Sequence, residues 1–197
     1  MRCLVVHAHP LPESLSRHFC SVACAALESG GHAVELVDLH QMGFDPRLTT
    51  QERADRYGSA TPGADVVPLI EQLRQADAMV LVFPTWWFGM PAILKGYVDR
   101  VFAPNVAFAN DENFGPIRPL LHRLRHAVVI TTLGTPWWVD RIALRRPLRR
   151  ILKTAVFGAC APNAKFHYMP YYAAEAPAPA RVEAFAGSIR KRLGRLA

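Results

Sequence analysis

The sequence predicts an α/β fold: a three-layer, doubly wound sheet of five parallel strands in the order 2-1-3-4-5, with helices on both faces. Two observations carry this prediction. Five short apolar runs rich in β-branched residues recur about every 39 residues along the 197-residue chain, and stretches of helical periodicity separate them. The composition, 51% hydrophobic and 20% charged, is that of one globular domain, taken as residues 1–197. At this length a core needs no disulfide or structural metal to hold it.

The first run, Cys3 to Val6, leads to a helix over Ser16 to Ser29, where Phe19, Val22, Ala23, Ala26 and Leu27 share one face. Ser14 or Ser16 caps its start and Gly30-Gly31 closes it. The second run is Ala33 to Val37. After it, Gln41 to Gly63 reads as a loop or lid. A helix over Val66 to Gln75 precedes the third run, Ala78 to Phe83. Another helix, Ala92 to Phe102, follows with Pro91 at its first turn. Pro104 to Pro119 is a second loop or lid. The fourth run is Ala127 to Thr132, followed by a helix over Pro147 to Phe157 that carries Leu148, Ile151, Leu152 and Ala155. The fifth run is Lys165 to Met169, and Val182, Phe185, Ile189 and Leu193 stripe the last helix.

Several function classes drop out. The longest uncharged stretch, the 17 residues Ala78 to Leu94, is interrupted by Pro84, Gly89 and Pro91, so no membrane span is expected. The short apolar start is too brief for a signal-peptide core, which favours a cytoplasmic protein. Cys3, Cys20, Cys24 and Cys160 have no CxxC or zinc spacing and read as reduced small hydrophobes. His7 and His9 share a strand face without a third ligand nearby, so no metal is expected. His122, His126 and His167 read as structural or surface residues. The net charge of +7 steers anions without naming one, and no nucleic-acid-binding motif accompanies it. Arg141, Arg145, Arg146, Arg149, Arg150 and Lys153 crowd into 13 positions, either as a solvated helix face or to attract the phosphates of a ligand or an acidic partner.

In a sheet of this order the ligand crevice lies at the carboxyl ends of strands one and three. After strand one, His9-Pro10-Leu11-Pro12-Glu13-Ser14-Leu15-Ser16 runs straight into a helix. The unpaired N–H groups of the helix start and the serine hydroxyls form a candidate phosphate cradle, with an ordinary serine cap as the plainer reading. Neither GxGxxG nor a P-loop lysine is present, which removes the main support for dinucleotide and NTPase readings. After strand three, Trp86, Trp87 and Phe88 can stack on a planar ligand, or bury against the core or a partner. Gly89 is expected to allow close backbone approach. After strand four come Thr131, Thr132, Leu133 and Gly134, then Trp137 and Trp138. A flat, phosphate-bearing ligand suits these three loops, and a flavin nucleotide fits best.

The segment Phe83-Pro84-x-x-Trp87-Phe88-Gly89-x-Pro91-Ala92-Ile93-Leu94-Lys95-Gly96, with Asp99-Arg100-Val101, resembles the flavodoxin-like NAD(P)H:quinone reductase family. Ala8-His9 with Ser14, Asp38-Leu39 with Phe44-Asp45-Pro46, and Thr131-Thr132 agree with it in order and spacing. The resemblance implies that His9, Ser14, Leu15 and Ser16 hold the phosphate-bearing tail of a flavin, FAD ahead of FMN. It implies that Pro84, Thr85, Trp87 and Phe88, flanked by Trp86 and Gly89, contact the ring system, and that Thr131, Thr132, Leu133 and Gly134 wrap its other edge. It further implies NAD(P)H as hydride donor, ping-pong reduction of a quinone-like acceptor, and a homodimer with active sites at the subunit interface. The alternative is a flavin-binding ancillary subunit of a potassium efflux transporter. The flavin carries the chemistry, and no side chain is assigned a catalytic role. One departure stands out: family members place a Tyr and a His beyond the fourth strand's loop, whereas Trp137 and Trp138 here stand near the expected nicotinamide and acceptor site. Leu133 replaces a frequent Gly there.

Overall fold

The computed structural model describes residues 1–55, 62–111 and 115–196. Its sheet has the expected order. Strand β1 (Arg2–His7) lies between β2 (Ala33–Asp38) and β3 (Ala78–Pro84), and β6 (His126–Thr132) and β7 (Lys165–Tyr171) extend the sheet beyond β3. Every pairing is parallel, from Arg2 opposite Ala33 to Thr132 opposite Tyr171. Strands β3 and β6 are buried at all seven positions, as a sheet covered on both faces requires.

Alternation along each strand feeds two cores. Val5, Val80, Val82, Val128 and Ile130 pack under Phe19 and Leu27 of α1 (Leu15–Ser29) and Ile189 and Leu193 of α7 (Pro179–Leu193). Leu4, Val6, Met79, Leu81, Phe83 and Val129 pack under α3 (Val67–Gln75), α4 (Ala92–Val101) and the helical stretch after residue 147. Ser14 is the cap of α1, its hydroxyl accepting from the Arg17 N–H at 3.1 Å.

Four details depart from the periodicity. The helix expected over Pro147 to Phe157 is an α-turn, α5 (Pro147–Arg150), then a π-helical stretch (Ile151–Phe157), then α6 (Gly158–Cys160). A further π-turn covers Val139–Ala143. Strand β7 runs on through Pro170, tolerated because β7 is an edge strand. The two expected loops carry structure of their own: α2 (Thr50–Ala54), begun by a Thr49/Glu52 capping box, and the antiparallel pair β4 (Phe108–Ala109) and β5 (Arg118–Pro119). Positions 56–61 and 112–114 of those loops lie outside the described residues.

Arg100 fastens the first of these loops to α4. Its guanidinium, buried at 3% exposure, bonds Glu52 at 2.9 Å, Asp65 at 2.7 Å and the Asp45 carbonyl at 2.8 Å, and lies over the Phe44 ring. Gly96 permits that docking, because a Cβ there would sit 2.3 Å from Pro46. Arg100, Gly96 and the Phe44-Asp45-Pro46 triplet of the sequence motif are thus one packing unit. Among the described residues no helix is long and apolar enough to cross a membrane.

Candidate active site

The carboxyl ends of β1, β3 and β6 meet in one crevice, held by backbone bonds between loops. Thr85 N–H donates to the Thr132 carbonyl at 2.8 Å, and the Thr85 and Thr131 hydroxyls are 2.7 Å apart. The His9 ring, which accepts the Leu11 N–H at its Nδ1, lies 6.4 Å from the Trp86 ring, so the loops after β1 and β3 touch.

At the start of α1, the N–H groups of Leu15 and Ser16 have no intrahelical partner by position. Ser16 is 2% exposed, and its hydroxyl has no hydrogen-bond partner. A buried donor left unmet costs about 1–3 kcal/mol, so this group is poised for an acceptor. The Ser14 hydroxyl is already engaged as the cap. Leu15 turns its side chain into the α1/α7 core and can offer only backbone. Of the expected phosphate contacts, then, the buried Ser16 hydroxyl and two backbone N–H groups have donors left unmet.

Trp86 to Gly89 forms a two-residue hairpin turn closed by reciprocal bonds of 3.2 and 2.9 Å. Positive φ falls on Trp87 (50°) and Phe88 (56°), where residue preference predicts none. Such turns favour Asn-Gly, and two bulky side chains in the left-handed region cost energy that a purely structural turn would shed. The conformation leaves Trp87 wholly exposed and Trp86 45% exposed, so neither is a core residue. Pro91 caps α4, which starts at Ala92 as expected.

Thr85, Trp87, Phe88, Leu133, Gly134 and Thr135 enclose a cavity of about 180 Å³. Thr131 and Thr132 lie beneath it, buried at the end of β6. The Thr135 hydroxyl is buried without a partner, a second unmet polar group. Gly134 lies against the Glu175 side chain, whose carboxylate would have to swing aside for a Cβ there. Trp137 and Trp138 do not line this cavity; they lie outside it, about half exposed.

Sequence reasoning missed Thr135, Glu175, Asp140 and Tyr172. The last two form a network: the Tyr172 hydroxyl donates to buried Asp140 at 2.8 Å, and the Arg141 guanidinium stands over both the Tyr172 and Trp137 rings. Burial pushes the Tyr172 pKa up, with Arg141 opposing and Asp140 adding to the rise. Nothing in the local sequence joins positions 140 and 172; only the β6–β7 pairing does. On the β2 side, His7 Nδ1 and Arg17 both meet Asp38, at 3.0 and 2.6 Å, beside a cavity of about 340 Å³. Burial holds the His7 pKa below its ordinary value despite Asp38. Among the described residues no group of three or more His, Cys, Asp or Glu is arranged to hold a metal, and all four cysteines are free thiols.

An uncharacterised NAD(P)H oxidoreductase of Escherichia coli (strain K12) is 34% identical over 111 residues, 55% of this chain and 56% of that protein. The ribosyldihydronicotinamide dehydrogenase (quinone) of Homo sapiens is 31% identical over 123 residues, 54% of this chain and 53% of that protein. The chain thus spans about half the length of the curated relatives it matches. Among solved structures, Smu.1420 from Streptococcus mutans UA159 superposes with a TM-score of 0.83 at 25% identity, each chain covered in full. An FMN-dependent NADH-azoreductase from Bacillus anthracis, solved in complex with FMN, superposes with a TM-score of 0.78 at 18% identity, covering 100% of this chain and 99% of that one. The sheet order, the crevice at its carboxyl edge and a family match described as flavodoxin-like fold over residues 1–193 agree, and the chain belongs to that family.

Proposed function

We propose that this chain is a flavin-dependent oxidoreductase that takes hydride from NAD(P)H and delivers two electrons to quinones or similarly flat acceptors. The observation that carries the reading is the unpartnered, buried Ser16 hydroxyl at the start of α1, the helix that follows β1, taken with the aromatic-walled cavity at the ends of β3 and β6. The residues fit a flavin. The Leu15 and Ser16 N–H groups and the Ser16 hydroxyl would hold its phosphate at the positive end of the helix dipole. Thr85, Trp87 and Phe88 would wall one side of the ring system, and Leu133, Gly134 and Thr135 the other.

A bound flavin supplies two-electron transfer, which no side chain of the crevice can perform alone. The protein's part is placement. Trp87 and Phe88, fixed by their strained turn, and Thr85, tied to Thr131 and Thr132, present a rigid edge against which flat molecules stack. With the ring system seated in this cavity, donor and acceptor would share the one crevice mouth that remains, which favours alternating, ping-pong use. The fold neighbour solved with FMN favours FMN over the FAD first expected. The exposed Trp86, Trp87, Trp137 and Trp138 favour a homodimer that closes over the crevice.

Anaerobic titration of flavin-loaded protein with NADPH, then NADH, tests the reading. Bleaching of the visible flavin band, reversed by a quinone, is the expected result. A bound flavin that stays oxidised under both nicotinamides overturns it, and chromatography of the released cofactor separates FMN from FAD.

A further inference from the structure

Strand β7 is an edge of the sheet, and its free side borders the last two turns of α7. There His167, Tyr168, Met169, Ser188, Lys191, Arg192 and Arg195 line an open cleft of about 410 Å³. It is larger than the aromatic cavity and lies at a different edge of the sheet from the β1/β3 crevice.

Its chemistry is one-sided. Ser188, Lys191 and Arg192 fall at i, i+3 and i+4 on one face of α7, and Arg195, in the turn just past its Gly194 cap, adds a third cation to the cleft. None of the three side chains has a carboxylate partner among the described residues, and no acidic residue lines the cleft. Glu183, on the same helix, is engaged with Arg190. The strand adds a donor. Lys165 N–H and the Tyr171 carbonyl face β6, so parallel pairing turns the odd-numbered residues inward and leaves the Tyr168 N–H at the free edge. The imidazole of His167 lines the cleft too, its protonation disfavoured by burial and by Arg192.

We propose that this cleft binds a phosphate-bearing anion at a site separate from the redox crevice. Two guanidinium forks, an ammonium and a strand N–H match the several oxygens of a phosphate group, whereas a lone carboxylate would satisfy one fork and leave the remaining cations repelling each other. That repulsion also argues against a second copy of the chain on this edge. Cations near a helix C-terminus complement the dipole, but such a role needs neither a concave site nor convergence with a strand N–H.

The phosphate could be presented by a soluble molecule or by a lipid headgroup, and the test separates them. Inorganic pyrophosphate is titrated into the full chain while the ring signals of His167 and the methyl signal of Met169 are followed by NMR. These probes report on the cleft and are independent of whether the crevice holds a flavin. The expected result is a saturable shift, absent with chloride at equal ionic strength and weakened about tenfold by each of K191Q, R192Q and R195Q. Sedimentation with phosphatidylcholine vesicles containing phosphatidic acid forms the second arm. Binding that pyrophosphate reverses assigns a lipid headgroup; saturation by pyrophosphate without vesicle binding assigns a soluble ligand. The proposal is overturned if the signals do not saturate, if chloride reproduces the shift, or if the three substitutions lower the melting temperature and leave pyrophosphate binding unchanged.

Discussion

Ser16 separates a functional role from a structural one, because the two predict opposite effects of the same substitution. Its hydroxyl is buried and unpartnered, so Ser16→Ala removes an unmet polar group and is expected to raise the stability of the flavin-free protein by about 1 kcal/mol. If Ser16 holds the flavin phosphate as proposed, the same change should weaken flavin binding about tenfold or more. Thermal melting without flavin and fluorescence titration with it measure the two effects, and a loss of stability with unchanged affinity would make the residue merely structural. His7 is a second such position. Burial outweighs the attraction of Asp38 and keeps its folded pKa below the ordinary 6.5. The unfolded chain therefore binds the extra proton first, and the stability that His7 contributes is complete above about pH 6.5 and lost as pH falls through the window beneath it. His7→Gln should flatten the fall in melting temperature between pH 7 and 5; an unchanged slope would place the titration elsewhere.

At the scale of elements, the turn from Trp86 to Gly89 carries the clearest conflict between local preference and observed conformation. Trp87 and Phe88 occupy left-handed backbone that costs a non-glycine residue about 1–2 kcal/mol. Replacing the pair with Asn-Gly, Trp87→Asn with Phe88→Gly, is expected to stabilise the monomeric chain by about 1 kcal/mol while removing one wall of the ring cavity. Higher melting temperature with several-fold lower quinone turnover is the anticipated pair of results; undiminished turnover would show that the strain serves something else. This turn also marks where the sequence was legible and where it was not. Strand and helix alternation pointed to a parallel sheet covered on both faces, for which the observed order is the common one at five strands. The motif located the aromatic loop but not the left-handed backbone at Trp87 and Phe88, since residue preference argues against it and only the folded loop imposes it. The π-helical stretch at Ile151–Phe157 and the Asp140–Tyr172 bond were hidden for a related reason: the apolar spacing of a π-turn differs little from that of an α-turn, and residues 32 positions apart meet only through strand pairing.

At the scale of the whole molecule, the apolar surface is distributed unevenly. Trp87 is wholly exposed, Trp137 and Trp138 about half exposed, and Ile142 65% exposed, all in the segments that follow β3 and β6. Exposed apolar side chains of this kind are what the proposed homodimer would bury. A two-fold interface doubles every contact, so two copies would each bury these side chains and complete the other's cavity. The same region carries Arg141, Arg145, Arg146, Arg149, Arg150 and Lys153, whose like charges oppose approach of the copies. Salt screens that repulsion while leaving apolar burial intact. Dimerisation should therefore strengthen as salt rises from about 0.05 to 0.5 M, the reverse of an interface held by ion pairs. Sedimentation equilibrium across that range checks the direction. The paired variant Trp137→Glu with Ile142→Glu should dissociate the dimer and lower turnover with it. A monomer at every salt concentration, or a dissociated variant with full turnover, would remove the shared-site dimer and leave each crevice complete within its own chain.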